Sequence, residues 1–142
     1  MSITRDSVSK YKVTQDFQYV DCCFKLEIKS FENAKMYLEI GDFKSAVIAF
    51  KNSMRDYPDT KFAEEMEFLT IKAQYQYAKN SFENKQEERF NEAIQLYAEF
   101  IESYPDSKFV KDALQLKTDS EIGIENAKKL LALETAATNS IN

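Results

Sequence analysis

The chain has 142 residues, of which 44% are apolar and 30% charged, which suits a single soluble domain with a real core. Its formal net charge of −5 argues against nucleic acid, because that affinity comes from clustered Lys and Arg. With no histidine, two glycines, two prolines and no long apolar run, it lacks the commonest general base and zinc ligand, cannot make the many tight turns of an all-β fold, and has no membrane span.

The first sixteen residues show no clear period and are expected to be poorly ordered, and they lack the apolar core of a signal peptide. A helical pattern starts at Phe17 and continues through Val20, Phe24, Ile28 and Phe31. It carries the only cysteines, the adjacent pair Cys22 and Cys23. Sequence neighbours rarely bridge each other and do not form a zinc knuckle. They are read as one buried thiol and one near the surface, and no apolar run precedes them to mark a lipid-attachment site. No metal and no cofactor is expected.

Phe31, Ala34 and Leu38 carry the stripe on to Gly41-Asp42. Glycine suits the left-handed position after a helix, and Asp42 suits the N-cap of the next. Phe43, Ala46, Val47, Phe50 and Met54 then follow i, i+3, i+4, i+7, i+11, an amphipathic helix of about four turns. Pro58 stops it, since proline has no backbone donor and biases its predecessor out of the α region. Asp59 and Thr60 are placed to cap the helix that follows.

That helix has two apolar stripes. Phe62, Met66, Leu69, Ala73 and Tyr77 form one; Phe68, Ile71, Tyr75, Ala78 and Phe82 form the other, on roughly the opposite side. A helix with two apolar sides is an inner helix of a stacked array. Lys61, Glu65, Lys72, Gln76 and Lys79 fall between the stripes on one polar flank. This flank is the candidate partner-binding face, ahead of the loop from Asn84 to Glu88. For any single residue an ordinary solvated face is the simpler account.

The stretch from Asn80 to Arg89 breaks the pattern and is expected to be a loop. Beyond it the second helical unit repeats the first. Phe43 matches Phe90, Ala46 matches Ala93, Phe50 matches Tyr97, and Tyr57-Pro58 matches Tyr104-Pro105, all at one offset (104 − 57 = 47). An internal repeat on this scale marks a solenoid or array. A last helix is expected from about Lys108 to Leu133, kinked or weakened at Gly123, with 134–142 a frayed tail. The expectation is therefore an all-α chain: a tetratricopeptide-like array of antiparallel helical hairpins, an α-solenoid of about five main helices, over 17–133.

Ala34, Tyr37, Gly41, Ala46, Phe50 and Pro58 match the tetratricopeptide-repeat pattern. The second unit keeps Ala93, Tyr97 and Pro105, but its spacing exceeds the usual length of about 34. The units from Phe31 to Glu65 and from Glu88 to Ala113, with the end of the preceding helix around Val20 to Glu27, more closely resemble the BamD family (also called YfiO or ComL) of outer-membrane assembly lipoproteins. The resemblance covers about residues 17 to 120. It implies a scaffold on the periplasmic face of the outer membrane, docked onto the periplasmic domains of the β-barrel insertase. Family members are longer lipoproteins with a signal and a lipidated cysteine. This sequence shows neither and reads as the C-terminal half of such a protein, the half that by the same resemblance holds the insertase.

Catalysis is not expected. Glu64, Glu65, Glu87, Glu88 and Asp112 lie on predicted polar faces or loops, no glycine-rich phosphate loop exists, and a Ser or Tyr nucleophile has no histidine to activate it. Tyr57, Tyr97 and Tyr104 stand at helical spacing and are read as core. A generic repeat adaptor for another protein or peptide is the alternative to the BamD-like scaffold.

Overall fold

The structure, a computed structural model, describes the backbone from Arg5 to Ile141 and the side chains from Asp21 to Ile141. Five α-helices follow in order: α1 Arg5–Glu39, α2 Phe43–Asp56, α3 Ala63–Lys79, α4 Glu83–Ser103 and α5 Val110–Asn139. No strand occurs among the described residues. Each helix packs on the next through a short turn, and α3 also touches α5. This is the tetratricopeptide-like array expected from the repeat.

The turns are built as the sequence implies. Gly41 has φ +83°, where a side chain would be strained, and the Asp42 carboxylate accepts the Ser45 N–H at 3.2 Å as the N-cap of α2. Asp42's own pKa is held low by that contact with Ser45.

Ala34, Ala46, Phe50 and Ala93 are buried, and Tyr37 packs at the edge of the first core. That core joins Phe31 and Ala34 of α1, Ala46, Val47 and Phe50 of α2, and Met66 and Ala73 of α3. The second joins Ile71 of α3, Phe100 of α4 and Ala113 of α5, with Phe68, Tyr97, Tyr104 and Phe109 against it. Helix α3 thus contributes to both cores from opposite sides, which is why it carries two apolar stripes.

The two inter-repeat turns share one clasp. Thr60 donates its hydroxyl hydrogen to the Glu27 carboxylate and accepts the Phe62 N–H at 3.2 Å. Ser107 does the same with Glu64 and with the Phe109 N–H, the latter at 3.1 Å. In each clasp the acceptor carboxylate precedes by one turn the aromatic ring on which the turn's phenylalanine stacks, Phe31 in the first and Phe68 in the second. The hydroxyl therefore acts just upstream of the helix. The first positions of α3 and α5 have no side-chain cap, which revises the capping role expected for this residue.

Several boundaries differ from the sequence reading. The expected loop over Asn84–Glu88 is the first turn and a half of α4, leaving Asn80 to Phe82 as the connection. The Gln86 amide ties this turn back by donating to the Ser81 carbonyl at 2.9 Å. Phe82, expected in the second stripe, is 82% exposed because it sits in extended backbone at the head of α4. Helix α5 continues past Leu133 to Asn139, through a segment without Gly or Pro to stop it. Helix α1 starts at Arg5, ahead of Phe17, for the same reason. Residues 1–4 lie outside the described residues, so the poor order expected there has no structural counterpart to compare.

Gly123 does not break α5. The Phe90 ring lies against it so closely that an added Cβ would meet Cζ at 2.5 Å. Its role is close approach between α4 and α5. Cys22 is exposed, Cys23 is half-buried, and both are free thiols.

Candidate functional site

The polar flank of α3 runs along a ridge between two grooves. Lys72 and Gln76 enter the first groove, which encloses about 430 Å³ between α1, the start of α2 and α3. Lys35, Leu38, Glu39, Phe43 and Leu69 complete its lining. Lys79 enters the second groove, about 380 Å³, with Tyr75 of α3, Phe90 of α4 and Asp119 of α5. Burial and the nearby Asp119 raise the Tyr75 phenol above the usual tyrosine range.

The other flank residues lie at the end of the ridge. Lys61 precedes α3 and places its ammonium over the rings of Phe24 at 4.7 Å and Phe62 at 5.1 Å. Glu65 lies partly buried in the first turn of α3, and Lys79 lies in its last. That arrangement complements the helix dipole, with negative charge at the N-terminus and positive charge at the C-terminus. Glu65, Lys72, Gln76 and Lys79 share one face of α3, with Lys61 just ahead of it, but only Lys72 and Gln76 share a groove. The opposite wall of that groove, Lys35 and Leu38, belongs to α1. Sequence reading missed these two because spacing along α3 carries no information about what α1 sets beside it.

A third groove opens on the opposite side of α3. It encloses about 400 Å³ and is lined by Lys51 and Arg55 of α2, Glu67 and Thr70 of α3, and Leu96 and Glu99 of α4. Burial, and then the like charge of Glu99, push the Glu67 carboxyl above the usual glutamate range.

The carboxylates considered for catalysis have structural partners in part. Glu64 accepts from Ser107, Glu87 pairs with Lys128 at 3.0 Å, and Glu88 pairs with Lys85 at 3.7 Å. Among the described residues no group of three or more His, Cys, Asp or Glu is placed to hold a metal ion, and no helix is long and apolar enough to cross a membrane. Tyr97 and Tyr104 pack at the second core, in agreement with their reading as core residues.

No curated protein matches the chain. The family model for YfiO, described as an outer membrane lipoprotein, matches residues 30–132. The match takes in the last turns of α1, all of α2, α3 and α4, and most of α5, which includes both repeats and the whole of the second clasp. The chain belongs to the YfiO (BamD) family of outer membrane lipoproteins.

Proposed function

We propose that this chain is a non-catalytic protein-interaction scaffold of outer-membrane assembly, working at the periplasmic face of that membrane. Its partner is the periplasmic part of the β-barrel insertase, and its working unit is the helical domain over 17–133. The observation that carries the reading is the family match across both repeats, with two grooves set along a continuous inner helix. Stacked hairpins joined by repeated clasps give an extended surface in which each repeat contacts only its neighbours. Such a surface suits holding a folded partner.

The flank of Lys61, Glu65, Lys72, Gln76 and Lys79 is the docking face in this reading. Because Lys72 and Lys79 enter different grooves, each is reversed alone, as Lys72→Glu and Lys79→Glu. The chain is mixed with the periplasmic domains of its own organism's insertase, and association is measured at low and high salt. Reversal at the docking face weakens association and flattens its salt dependence. No association by the parent chain would leave the generic adaptor as the better account.

A further inference from the structure

We infer that the groove between α1 and α3 takes a protein segment in which an acidic side chain stands beside apolar ones. The inference rests on the docking reading above and names the chemistry that the groove selects. Lys35 reaches it from α1 and Lys72 from α3. The two lysines hold matching places in their helices. Lys35 follows the clasp ring Phe31 by one turn, as Lys72 follows the clasp ring Phe68. The repeat therefore sets one lysine on each wall of the groove.

Neither lysine forms an ion pair among the described residues. Lys35 holds its ammonium over the Phe31 ring at 5.1 Å, a position it can leave without breaking a salt bridge. Between the lysines lie Leu38, Phe43 and Leu69, each only partly buried. The volume, about 430 Å³, falls within the range of pockets that hold a ligand-sized group, roughly 300–1,000 Å³. A carboxylate entering the groove meets a lysine on either wall while neighbouring apolar side chains cover the floor. Gln76 can both donate to and accept from the backbone of an extended segment. Glu39, one turn beyond Lys35, discourages a second acid at that end.

The neighbouring groove carries one lysine, Lys79, and one aspartate, Asp119, whose charges offset. By the offset of the second clasp, the place of Lys72 is taken in α5 by Asp119. Preference for acid is therefore confined to the α1–α3 groove.

The test uses the whole chain and three fluorescein-labelled decapeptides, alternating leucine with aspartate, with asparagine or with lysine. The aspartate peptide is expected to bind about tenfold or more tightly than the asparagine peptide, an advantage that salt erodes. Lys35→Glu with Lys72→Glu, checked for an unchanged helical melt, is expected to abolish that binding and to admit the lysine peptide. Lys35→Gln with Lys72→Gln is expected to remove the advantage of aspartate without admitting lysine. Failure of the aspartate peptide to bind, equal binding of the aspartate and asparagine peptides, or indifference to the paired substitutions overturns the inference. The insertase experiment is scored separately. Docking that survives Lys35→Glu with Lys72→Glu removes this groove but keeps the scaffold, while peptide selectivity without insertase binding keeps the groove and removes that partner.

Discussion

Phe62 lies flat on Phe31, with ring centroids 4.6 Å apart and planes 12° from parallel. The same contact returns in the second repeat, where Phe109 lies on Phe68 at 4.7 Å and 8°. Beside each stack a hydroxyl joins a carboxylate, Thr60 to Glu27 and Ser107 to Glu64. These clasps set the register of one hairpin on the next, and so the width of the grooves beside α3.

Thr60→Ala should therefore destabilise by about 1.5–3 kcal/mol, the range for a hydrogen bond to a charged group. Thr60 is nearly buried, so water replaces the lost partner poorly. Thr60→Ser keeps the hydroxyl and should cost much less. Urea unfolding of the three proteins distinguishes them, and equal losses for Ala and Ser would mean that the methyl group matters and the clasp does not.

Ala46→Leu and Ala93→Leu should each cost about 1–3 kcal/mol by overpacking. Ala46 and Ala93 are 0% and 1% exposed, so a larger side chain at either has no solvent to turn into. Thermal melts test this, and unchanged midpoints would deny the close contact that the repeat pattern requires.

These alanines, the two proline turns and the double-sided α3 were legible in the sequence because each is fixed by local chemistry: a small residue at a helix crossing, a missing backbone donor, an apolar period. The start of α4 was not. Asn84 to Glu88 has no apolar stripe, but it also has no Gly or Pro, and nothing in that composition forbids a helix once Gln86 and Glu87 find partners on other segments. The grooves were half legible. Lys72 and Gln76 could be placed on one face by spacing, whereas the facing Lys35 depends on how α1 packs.

Gly123→Ala tests a residue that sequence reading took for a weak point. Alanine gains up to about 1 kcal/mol of helix propensity over glycine. Here its Cβ meets the buried Phe90 ring, so the variant should be less stable than the parent by about 1–3 kcal/mol. With Phe90→Leu in the background the clash is relieved and Gly123→Ala should become neutral or stabilising. A stabilised single variant would deny the close α4–α5 approach.

Glu67 gives a pH dependence with a defined sign. Its pKa is raised in the folded chain above the ordinary 4.5 by burial and by Glu99. Between those two values the folded state binds more protons than the unfolded state, so this group lowers stability as pH rises through its folded pKa. The full penalty is present at neutral pH and absent below the unfolded value. Glu67→Gln should therefore raise the melting temperature at neutral pH, with the gain shrinking to nothing as pH falls below the ordinary glutamate range. A gain independent of pH would assign the effect to packing.

Site-specific photo-crosslinking tests the central claim most directly, that the α3 ridge and its grooves are where this scaffold holds its partner. A benzophenone side chain is placed at Gln76 in the α1–α3 groove or at Lys51 on the opposite side of α3. Each protein is irradiated with the periplasmic domains of the β-barrel insertase. The account predicts an adduct from Gln76, suppressed by Lys72→Glu, and little or none from Lys51. An adduct from Lys51 with none from Gln76 would contradict it and move the docking face to the α2–α4 side.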